Sequence, residues 1–435
     1  MSLLLSGRDW SLYGVRGAIV AVNSLSLLVI AAVMNLADFG HFVFLWVIAV
    51  TLGAVGSLGG QLYIMRETSA LQSDPARGVS AVEAIQIVFL WPAAMLGLIA
   101  ISTILAGPLF LPFVGYEAPR PTEVFLVVAV GLTLNLIGHA ATPLRIDDRL
   151  TVSMLVRDGG PQLILLTAAL LATLLARPHP VVIFGFFLVL SLFVLALLAM
   201  TSIKRAFSRR QLLRVSGSAR ALGLRSFWGT SVLGNLNAQV DILLGGLFLS
   251  NADLGAYQIL KRLANLASLP QIVANWTVLV GVGRACASSD VMMVQRLCRR
   301  AATLTLLPGI TLASVLLLSL PAFLWFFEIE NEQGIWLVFS VILAGSVVNI
   351  ICGANFTVAA QCRLEHIALR ARLIGVMFAA AMILIHGAAL SAINLAVAAF
   401  IALSIPNLLL WLYLRRKLSI DTSLICLLRS ERHMS

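Results

Sequence analysis

Long apolar segments constrain this chain more than any other feature of its sequence. Twelve of them follow one another, each about as long as the 20 or so residues that an α-helix needs to cross a bilayer. The segments are continuous and do not alternate between apolar and polar residues, which excludes a closed membrane β-barrel. We therefore predict an all-α polytopic membrane protein with about 12 transmembrane helices. The segments lie near residues 12–35, 41–64, 81–106, 122–143, 153–176, 180–203, 226–249, 255–281, 301–325, 333–360, 367–389 and 391–414.

The distribution of charge predicts the orientation of the chain in the membrane. Only 11% of the residues are charged, against roughly 25% in soluble domains. With a cytoplasmic N-terminus, 25 of the 30 Lys and Arg fall in cytoplasmic ends and loops, Arg120 and Arg177 are external, and three lie within helices. This asymmetry follows the positive-inside rule and predicts that both termini are cytoplasmic. It also accounts for the net charge of +11 without a nucleic-acid partner.

Several sequence elements recur in the two halves of the chain. The stretch LADFGHF begins at Leu36, and its near-copy NADLGAY begins at Asn251, an offset of 215. Three further pairs recur in the same order at offsets of 213 to 218, namely Arg66 with Arg284, Pro108 with Pro321, and Arg145 with Arg363. An even number of helices per half makes the two repeats parallel. We predict two pseudo-symmetric six-helix lobes around a central cavity, an arrangement typical of transporters.

A basic linker separates the two predicted lobes. The N-terminal lobe covers residues 1–203, the C-terminal lobe covers 226–414, and a cytoplasmic tail covers 415–435. The linker, residues 204–225, holds seven Lys or Arg and no acid. Such a segment is typical of an interfacial connector held near anionic lipid. A specific regulatory or partner site is the alternative interpretation.

Three cations lie inside the predicted spans. A charged residue there costs about 2.5–3.5 kcal/mol on insertion scales, so each one marks a functional candidate. Arg16, in the first span, either snorkels to the cytoplasmic surface or faces the cavity. Lys261 and Arg262 lie roughly 10 Å from the outer surface in the eighth span, counting about 1.5 Å per residue. We predict that these three cations bind substrate in the cavity.

Polar residues accompany the two cations of the eighth span. Gln258, Arg262 and Asn265 recur at i, i+4 and i+7, which gives this helix one polar face. We predict that Gln258 and Asn265 face the cavity, and that Pro270 kinks the helix one or two turns deeper.

The seventh span carries an acid. Asp241 lies there, with Asn237 on the same helix face. Because antiparallel neighbouring helices hold Asp241 at a similar depth to Lys261 and Arg262, we predict that it pairs with one of these two cations. The pair is either a static one that makes insertion tolerable or a proton- or sodium-sensitive coupling site. His139, in the fourth span, is a further polar candidate, either as a hydrogen-bonded interior residue or as a proton relay.

Motifs of enzymatic chemistry are missing from the sequence. It contains no H-E-x-x-H, no G-x-S-x-G and no Walker loop, and the predicted external loops leave no room for a soluble catalytic domain. We predict that the protein is not an enzyme and binds no metal or other cofactor. The five cysteines are scattered without a C-x-x-C motif, so they are predicted to be free thiols.

One long stretch resembles a known family. The residues QVDILLGGLFLSNADLGAYQILKRLANLASLPQIVANWTVLV, followed by VQRLCRRA, lie between Gln239 and Ala301. They resemble the seventh and eighth helices of polysaccharide (O-antigen-type) flippases, which belong to the multidrug/oligosaccharidyl-lipid/polysaccharide exporter superfamily. The resemblance extends over the whole chain through its twelve spans and its two-lobed repeat.

The resemblance implies a function and site residues. It implies a cavity that opens alternately to each side and moves an undecaprenyl-pyrophosphate-linked oligosaccharide from the cytoplasmic to the periplasmic leaflet of the bacterial cytoplasmic membrane. Arg16 and Arg262 stand at the positions expected to meet the pyrophosphate. The chain departs from the family at Asn35, where an Arg is usual. The implied partners are the polyprenyl-pyrophosphate-linked glycan, membrane lipid and other glycan-assembly membrane proteins.

Other classes of protein fit the sequence less well. A cation-coupled multidrug exporter of the same superfamily is the main alternative, although such an exporter would favour acids over bases in its cavity. A membrane-embedded glycan polymerase or ligase would need a long external loop. A non-transporting scaffold for glycan assembly would not need the charges within its spans.

Overall fold

The computed structural model describes residues 7–60, 86–110, 120–146, 149–208, 220–330 and 333–427. Every regular element in these ranges is helical. The α-helices are α1 (Gly7–Ala31), α2 (Leu36–Gly56), α3 (Trp91–Phe110), α4 (Pro121–Ile146), α5 (Leu150–Met154), α6 (Gly160–Leu174), α7 (Pro180–Ser208), α8 (Arg220–Gly245), α9 (Asn251–Leu266), α10 (Leu269–Ala287), α11 (Val291–Leu318), α12 (Leu320–Phe326), α13 (Gln333–Cys352), α14 (Asn355–Gln361), α15 (Glu365–His386) and α16 (Ala392–Lys417). Short π-helical turns precede α3 and join α5 to α6.

Membrane-spanning helices dominate the fold. Nine helices within the described ranges are long and apolar enough to cross a membrane, and the whole arrangement confirms an all-α polytopic protein of about 12 such helices. The first, seventh and eighth predicted spans are not among the nine. These three spans contain the charged candidates. Helix α1 is apolar only from Gly17 to Ala31, α8 carries Asp241, and α9 carries Lys261 and Arg262.

The eighth predicted span is divided into two helices. Helix α9 ends at Leu266 and α10 begins at Leu269, with Pro270 in the first turn of α10. Proline has no N–H to donate and fits the first turn of a helix, where that group has no intrahelical partner. In place of the kink predicted at Pro270, the structure therefore has a break between α9 and α10.

The tenth span, predicted to run through 333–360, is also divided, so the prediction of one continuous helix was wrong. Helix α13 ends at Cys352, and Gly353 adopts a φ of +68° before α14 begins. A Cβ at Gly353 would overlap the carbonyl oxygen of Thr422. A residue in the left-handed region ends a helix, and glycine adopts that region without steric cost.

The described chain forms two compact units. One, the N-terminal unit, comprises residues 33–235, and the other, the C-terminal unit, comprises residues 1–32 and 236–435. Helix α1 belongs to the C-terminal unit because it packs against α9 and α10. The two predicted lobes, 1–203 and 226–414, stay a prediction, and most of the linker predicted between them lies outside the described residues.

The core of the N-terminal unit is aromatic and closely packed. Helix α2 packs against α4, where Gly53 lies so near Gly131 that a Cβ on Gly53 would stand 3.0 Å from the Gly131 carbonyl oxygen. Phe42 and Trp46 of α2 contact Phe184 of α7, with ring centroids 5.5 and 6.4 Å away. Apart from the close approach of α2 and α4 at these glycines, the core of this unit is therefore filled by large buried side chains.

The segment that follows α16 packs against the rest of the C-terminal unit. We call residues 419–427 the C-terminal strap. Asp421, Thr422 and Ser423 of the strap are buried, and the backbone of Asp421 exchanges two hydrogen bonds with the Gln295 side chain, of 2.7 and 2.8 Å. The Thr422 hydroxyl donates to the Cys352 carbonyl oxygen at 2.9 Å. The described part of the predicted tail is thus folded onto α11 and α13.

The cysteine prediction needs one correction. Cys286, in the last turn of α10, and Cys362, directly after α14, form a disulfide with their Cα atoms 5.3 Å apart. The two residues are 76 positions apart in sequence, and packing of α10 against α14 brings them together. The other three cysteines, Cys298, Cys352 and Cys426, are free, as predicted for all five, and they are buried.

Candidate functional site

Helix α9 begins with a side-chain cap that fixes its register. The Ser250 hydroxyl accepts from the Asp253 backbone N–H at 3.1 Å and donates to the Asp253 carboxylate at 2.6 Å. Such a cap satisfies a backbone donor that has no intrahelical partner. One and two turns later the helix presents Tyr257 and Lys261 on the side that meets α8.

Asp241 of α8 pairs with Lys261. The Lys261 ammonium donates to Asp241 Oδ1 at 2.7 Å and to the Ala238 carbonyl oxygen at 2.9 Å. It also lies 2.7 Å from Asp241 Oδ2, which accepts from the Tyr257 hydroxyl at 2.6 Å. Of the two partners that the sequence left open for Asp241, the structure selects Lys261. Both carboxylate oxygens are occupied, as a buried charge requires.

Tyr257 is the residue of this cluster that sequence reasoning missed. It is 1% exposed, and it stands four positions before Lys261 on the same helix. That i, i+4 spacing was the available signal, but Tyr257 lies in the repeated stretch and was interpreted only as part of the repeat.

A cavity of about 130 Å³ adjoins the ion pair. The four polar residues of its wall are all site residues that the sequence predicted, namely Asn237, Asp241, Lys261 and Asn265. Its apolar wall is formed by Ala238, Ile342, Ala399, Ala402 and Leu403. The structure thus brings these four predicted residues together in the wall of one cavity within the C-terminal unit.

Arg262 and Gln258 lie on another side of α9. The Nε atom of Arg262 and the Oε1 atom of Gln258 are buried and have no hydrogen-bond partner among the described residues. Since one is a donor and the other an acceptor, the pair offers both kinds of polar contact to a ligand. An unsatisfied buried polar group costs about 1–3 kcal/mol, which a ligand can recover.

Arg16 lies on α1, which packs against α9 and α10. Its side chain lies outside the described part of the chain, so its predicted role stays a prediction. The helix itself is nevertheless a neighbour of the helix that carries Lys261 and Arg262.

His139 belongs to the N-terminal unit. It is buried on α4, and its Nδ1 lies 2.9 Å from the Asn135 carbonyl oxygen. A carbonyl oxygen only accepts, so Nδ1 carries the proton and Nε2 of the neutral ring is an acceptor. That Nε2 atom has no hydrogen-bond partner within the described ranges. His139 is thus buried and hydrogen-bonded, and the choice between its two predicted roles stays a prediction.

No protein-family model matches the sequence, and no curated protein matches it at significant similarity. Solved structures match its fold over nearly the whole chain. A MATE transporter of Vibrio cholerae, VcmN, has a TM-score of 0.59 at 16% identity and covers 94% of each chain. The lipid II flippase MurJ, in an inward closed conformation, has a TM-score of 0.60 at 14% identity and covers 92% of this chain and 87% of its own.

A transporter of the MOP superfamily from Pyrococcus furiosus matches to a similar degree. Its TM-score is 0.57 at 14% identity, over 94% of this chain and 95% of its own, and its binding pocket is described as reversed in polarity. All three neighbours are transporters or flippases. The chain therefore has the fold of the MOP-superfamily transporters, a multi-pass membrane fold.

Proposed function

We propose that this protein is a flippase of the bacterial cytoplasmic membrane, with both termini cytoplasmic. It moves an undecaprenyl-pyrophosphate-linked oligosaccharide from the cytoplasmic to the periplasmic leaflet by alternating access, for polysaccharide biosynthesis. One observation carries the proposal. Within the C-terminal unit, Lys261 pairs with Asp241, whereas Arg262, on another side of α9, has its Nε buried without a hydrogen-bond partner among the described residues.

Arg262 suits a diphosphate. Lys261 and Asp241 neutralise each other at 2.7 Å, whereas the Nε of Arg262 is buried without a hydrogen bond in the described part of the chain. A guanidinium presents planar paired donors that match two phosphate oxygens. A diphosphate that crosses a lipid core needs such fixed counter-charge, since charge transfer into lipid is costly.

The other predicted residues take supporting roles in this proposal. Arg16, on the neighbouring α1, supplies a second cation to the diphosphate. Lys261 holds Asp241 and turns its ammonium toward the cavity, where Asn237 and Asn265 offer hydrogen bonds to the head group. Gln258 accepts from a ligand hydroxyl beside Arg262.

Similar structures support a lipid-linked cargo. MurJ is described as a lipid II flippase, and the Pyrococcus furiosus transporter shows that this fold accommodates binding pockets of different polarity. A site with a buried guanidinium therefore fits a fold already associated with lipid-linked substrates.

A cation-coupled multidrug exporter is the second candidate. Two observations favour it, because Asp241 lines the cavity and VcmN is a MATE transporter. The carboxylate of Asp241, however, already binds one ammonium within the protein. A cationic drug would have to displace Lys261 from it.

Mass spectrometry of polyprenol-linked glycans tests the flippase directly. A strain that lacks this chain should accumulate one complete lipid-linked oligosaccharide, and the wild-type gene should remove the accumulation. Arg262→Ala should fail to remove it, and Arg262→Lys should restore it in part, since a lysine keeps the charge but loses the paired donors.

Arg296→Ala is the matched control for the loss of an arginine. Arg296 is exposed on α11, away from the cavity wall, so this variant should complement fully. An unchanged glycan profile in the deletion strain, together with drug sensitivity that Asp241→Asn fails to relieve, would favour the exporter instead.

Asp241 is also proposed as a coupling residue. If a proton or a sodium ion exchanges with Lys261 at this carboxylate, Asp241→Asn should abolish the dependence of transport on pH or sodium while the protein stays folded. Transport with an unaltered ion dependence in this variant would leave Asp241 as a static partner of Lys261.

A further inference from the structure

The one disulfide within the described ranges ties together two helices that continue broken spans. Cys286 ends α10, the continuation of α9, and Cys362 follows α14, the continuation of α13. Both residues are half-buried. The bond therefore joins the far ends of two segments whose near ends are the breaks at 267–268 and at Gly353.

The other cysteines differ sharply from this pair. Cys298, Cys352 and Cys426 are each about 1% exposed. Burial, and after it the nearby Asp421 carboxylate, raise the pKa of the Cys426 thiol to about 11. A thiol that is buried and protonated reacts slowly, because the thiolate is the nucleophile. Of the five cysteines, only Cys286 and Cys362 are both accessible and in reach of each other.

The predicted topology places this pair on the reducing side of the membrane. Arg284 and Arg363 are exposed beside the two cysteines, and such arginines are typical of cytoplasmic ends of spans. Cytoplasmic proteins keep their thiols reduced, and disulfides found there are usually transient or redox-sensing. A permanent structural bond is therefore not expected at this place.

We propose that Cys286 and Cys362 form a reversible redox site that locks α10 to α14. In the resting cell both are thiols. A hydroperoxide oxidises one thiol to a sulfenic acid and leaves as the alcohol or water. The second thiol then attacks the sulfenic sulfur, which forms the S–S bond and releases one water.

The lock acts on the site through the hinge that the two breaks form. The Gln271 amide, near the start of α10, donates to the carbonyl oxygens of Asn349 and Gly353 at 2.9 and 3.0 Å. These contacts join the two breaks, and α9 above them carries Lys261 and Arg262. A covalent link at the far ends fixes α10 and α14 as one body and slows any transport step that bends them. This consequence rests on the proposed function, whereas the redox site does not.

Thiol labelling in cells tests the site. A variant with Cys298, Cys352 and Cys426 changed to Ala keeps only the pair, and a maleimide-polyethylene glycol adds two labels to the reduced protein. Growing cells should show both labels, peroxide should remove both, and dithiothreitol should restore them. Cys286→Ser in this background should keep its single label under peroxide.

Two results would overturn the redox site. One is a pair that is already joined in unstressed cells. The other is a pair that keeps both labels after peroxide. A membrane-impermeant maleimide checks the topology, since labelling of intact spheroplasts from outside would place the pair in the oxidising compartment and remove the argument for reversibility.

Transport is measured in the same strains. Peroxide should cause the lipid-linked glycan to accumulate in cells with the wild-type chain but not with Cys286→Ser or Cys362→Ser. If labels disappear under peroxide without accumulation, the locking role is wrong. If the glycan profile never depends on this chain, the proposed function fails while the labelling result still decides the redox site.

Discussion

The two copies of the repeated stretch begin their helices in the same way. Asn35 accepts the backbone N–H of Asp38 at 2.8 Å at the start of α2, and Ser250 accepts that of Asp253 at 3.1 Å at the start of α9. In both, the cap side chain also donates to the carboxylate, at 2.6 Å. The repeated residues therefore form the same local structure in both places, a capped helix start.

Beyond the cap the two copies diverge. At the offset of 215, Trp46 of α2 stands where α9 has Lys261, and Ser26 of α1 stands where α8 has Asp241. Trp46 packs edge-on against Phe187 with centroids 5.4 Å apart, whereas Lys261 holds an acid. The same capped helix start is thus followed by an apolar core in one place and by a charged cavity in the other, and single residues at corresponding positions make the difference.

The ion pair is the largest point of difference between the copies. Lys261→Met leaves Asp241 buried and unpaired and should cost about 3–5 kcal/mol of stability. The double variant Lys261→Met with Asp241→Leu should recover most of the loss, because apolar residues of similar volume replace a buried pair well. Thermal unfolding in detergent measures both. Leu263→Met, an isosteric change on the same helix, is the control, and a double variant as unstable as the single one would contradict the pairing.

The break in the tenth span is the next largest difference. At the offset of 218, Asn135 of the unbroken helix α4 corresponds to Gly353. Gly353→Ala places a Cβ against the Thr422 carbonyl at a left-handed φ and should cost about 2 kcal/mol or more. Gly97→Ala, whose Cβ meets nothing within 4 Å, should be neutral or slightly stabilising. Equal melting temperatures for the two variants would show that a Cβ at Gly353 does not clash with the Thr422 carbonyl of the strap.

The caps are the point at which the copies agree. Asn35→Ala and Ser250→Ala should each lower the free energy of unfolding by about 1 kcal/mol, because each removes the acceptor of one backbone N–H. The melting temperatures of the two variants should fall by similar amounts. A loss confined to one of them would mean that the repeated stretches share sequence without sharing a structural role.

The strap, which follows the last helix of the second half, should give the smallest effect. Burial raises the pKa of the Asp421 carboxyl. The hydrogen bonds from Ser423 and Trp411 and the charge of Arg415 lower it by a larger amount, so the net pKa lies below its usual range. A depressed folded-state pKa contributes stability that is present above roughly pH 4, the unfolded value, and is lost as the pH falls below it. The melting temperature of the wild type should fall as the pH is lowered from neutral into this range, and that of Asp421→Asn should fall less steeply.

Much of the site was predictable from spacing. The near-equal distances of Asp241 from Lys261 and Arg262 about the connecting loop predicted that Asp241 would meet one of these two cations. Helical periodicity grouped Asn265 with Gln258 and Arg262, whereas in the structure Asn265 lines the cavity with Asp241 and Lys261. The choice of Lys261 over Arg262 was not predictable, because adjacent residues on a helix differ in direction by about 100° and only the crossing of α8 and α9 decides which one meets the acid.

Hydrophobicity, charge asymmetry and internal repetition are local properties, so the sequence by itself determined the membrane class, the number of spans and the positions of the buried charges. Contacts between distant segments depend on how helices pack. Three such contacts are the Cys286–Cys362 bond, the packing of the strap against Gly353, and the lining of the cavity by Ala399 and Ala402. Each joins residues that share no sequence signal. Those features were decided by the tertiary structure alone, because side chains tens of positions apart meet only after the helices have packed.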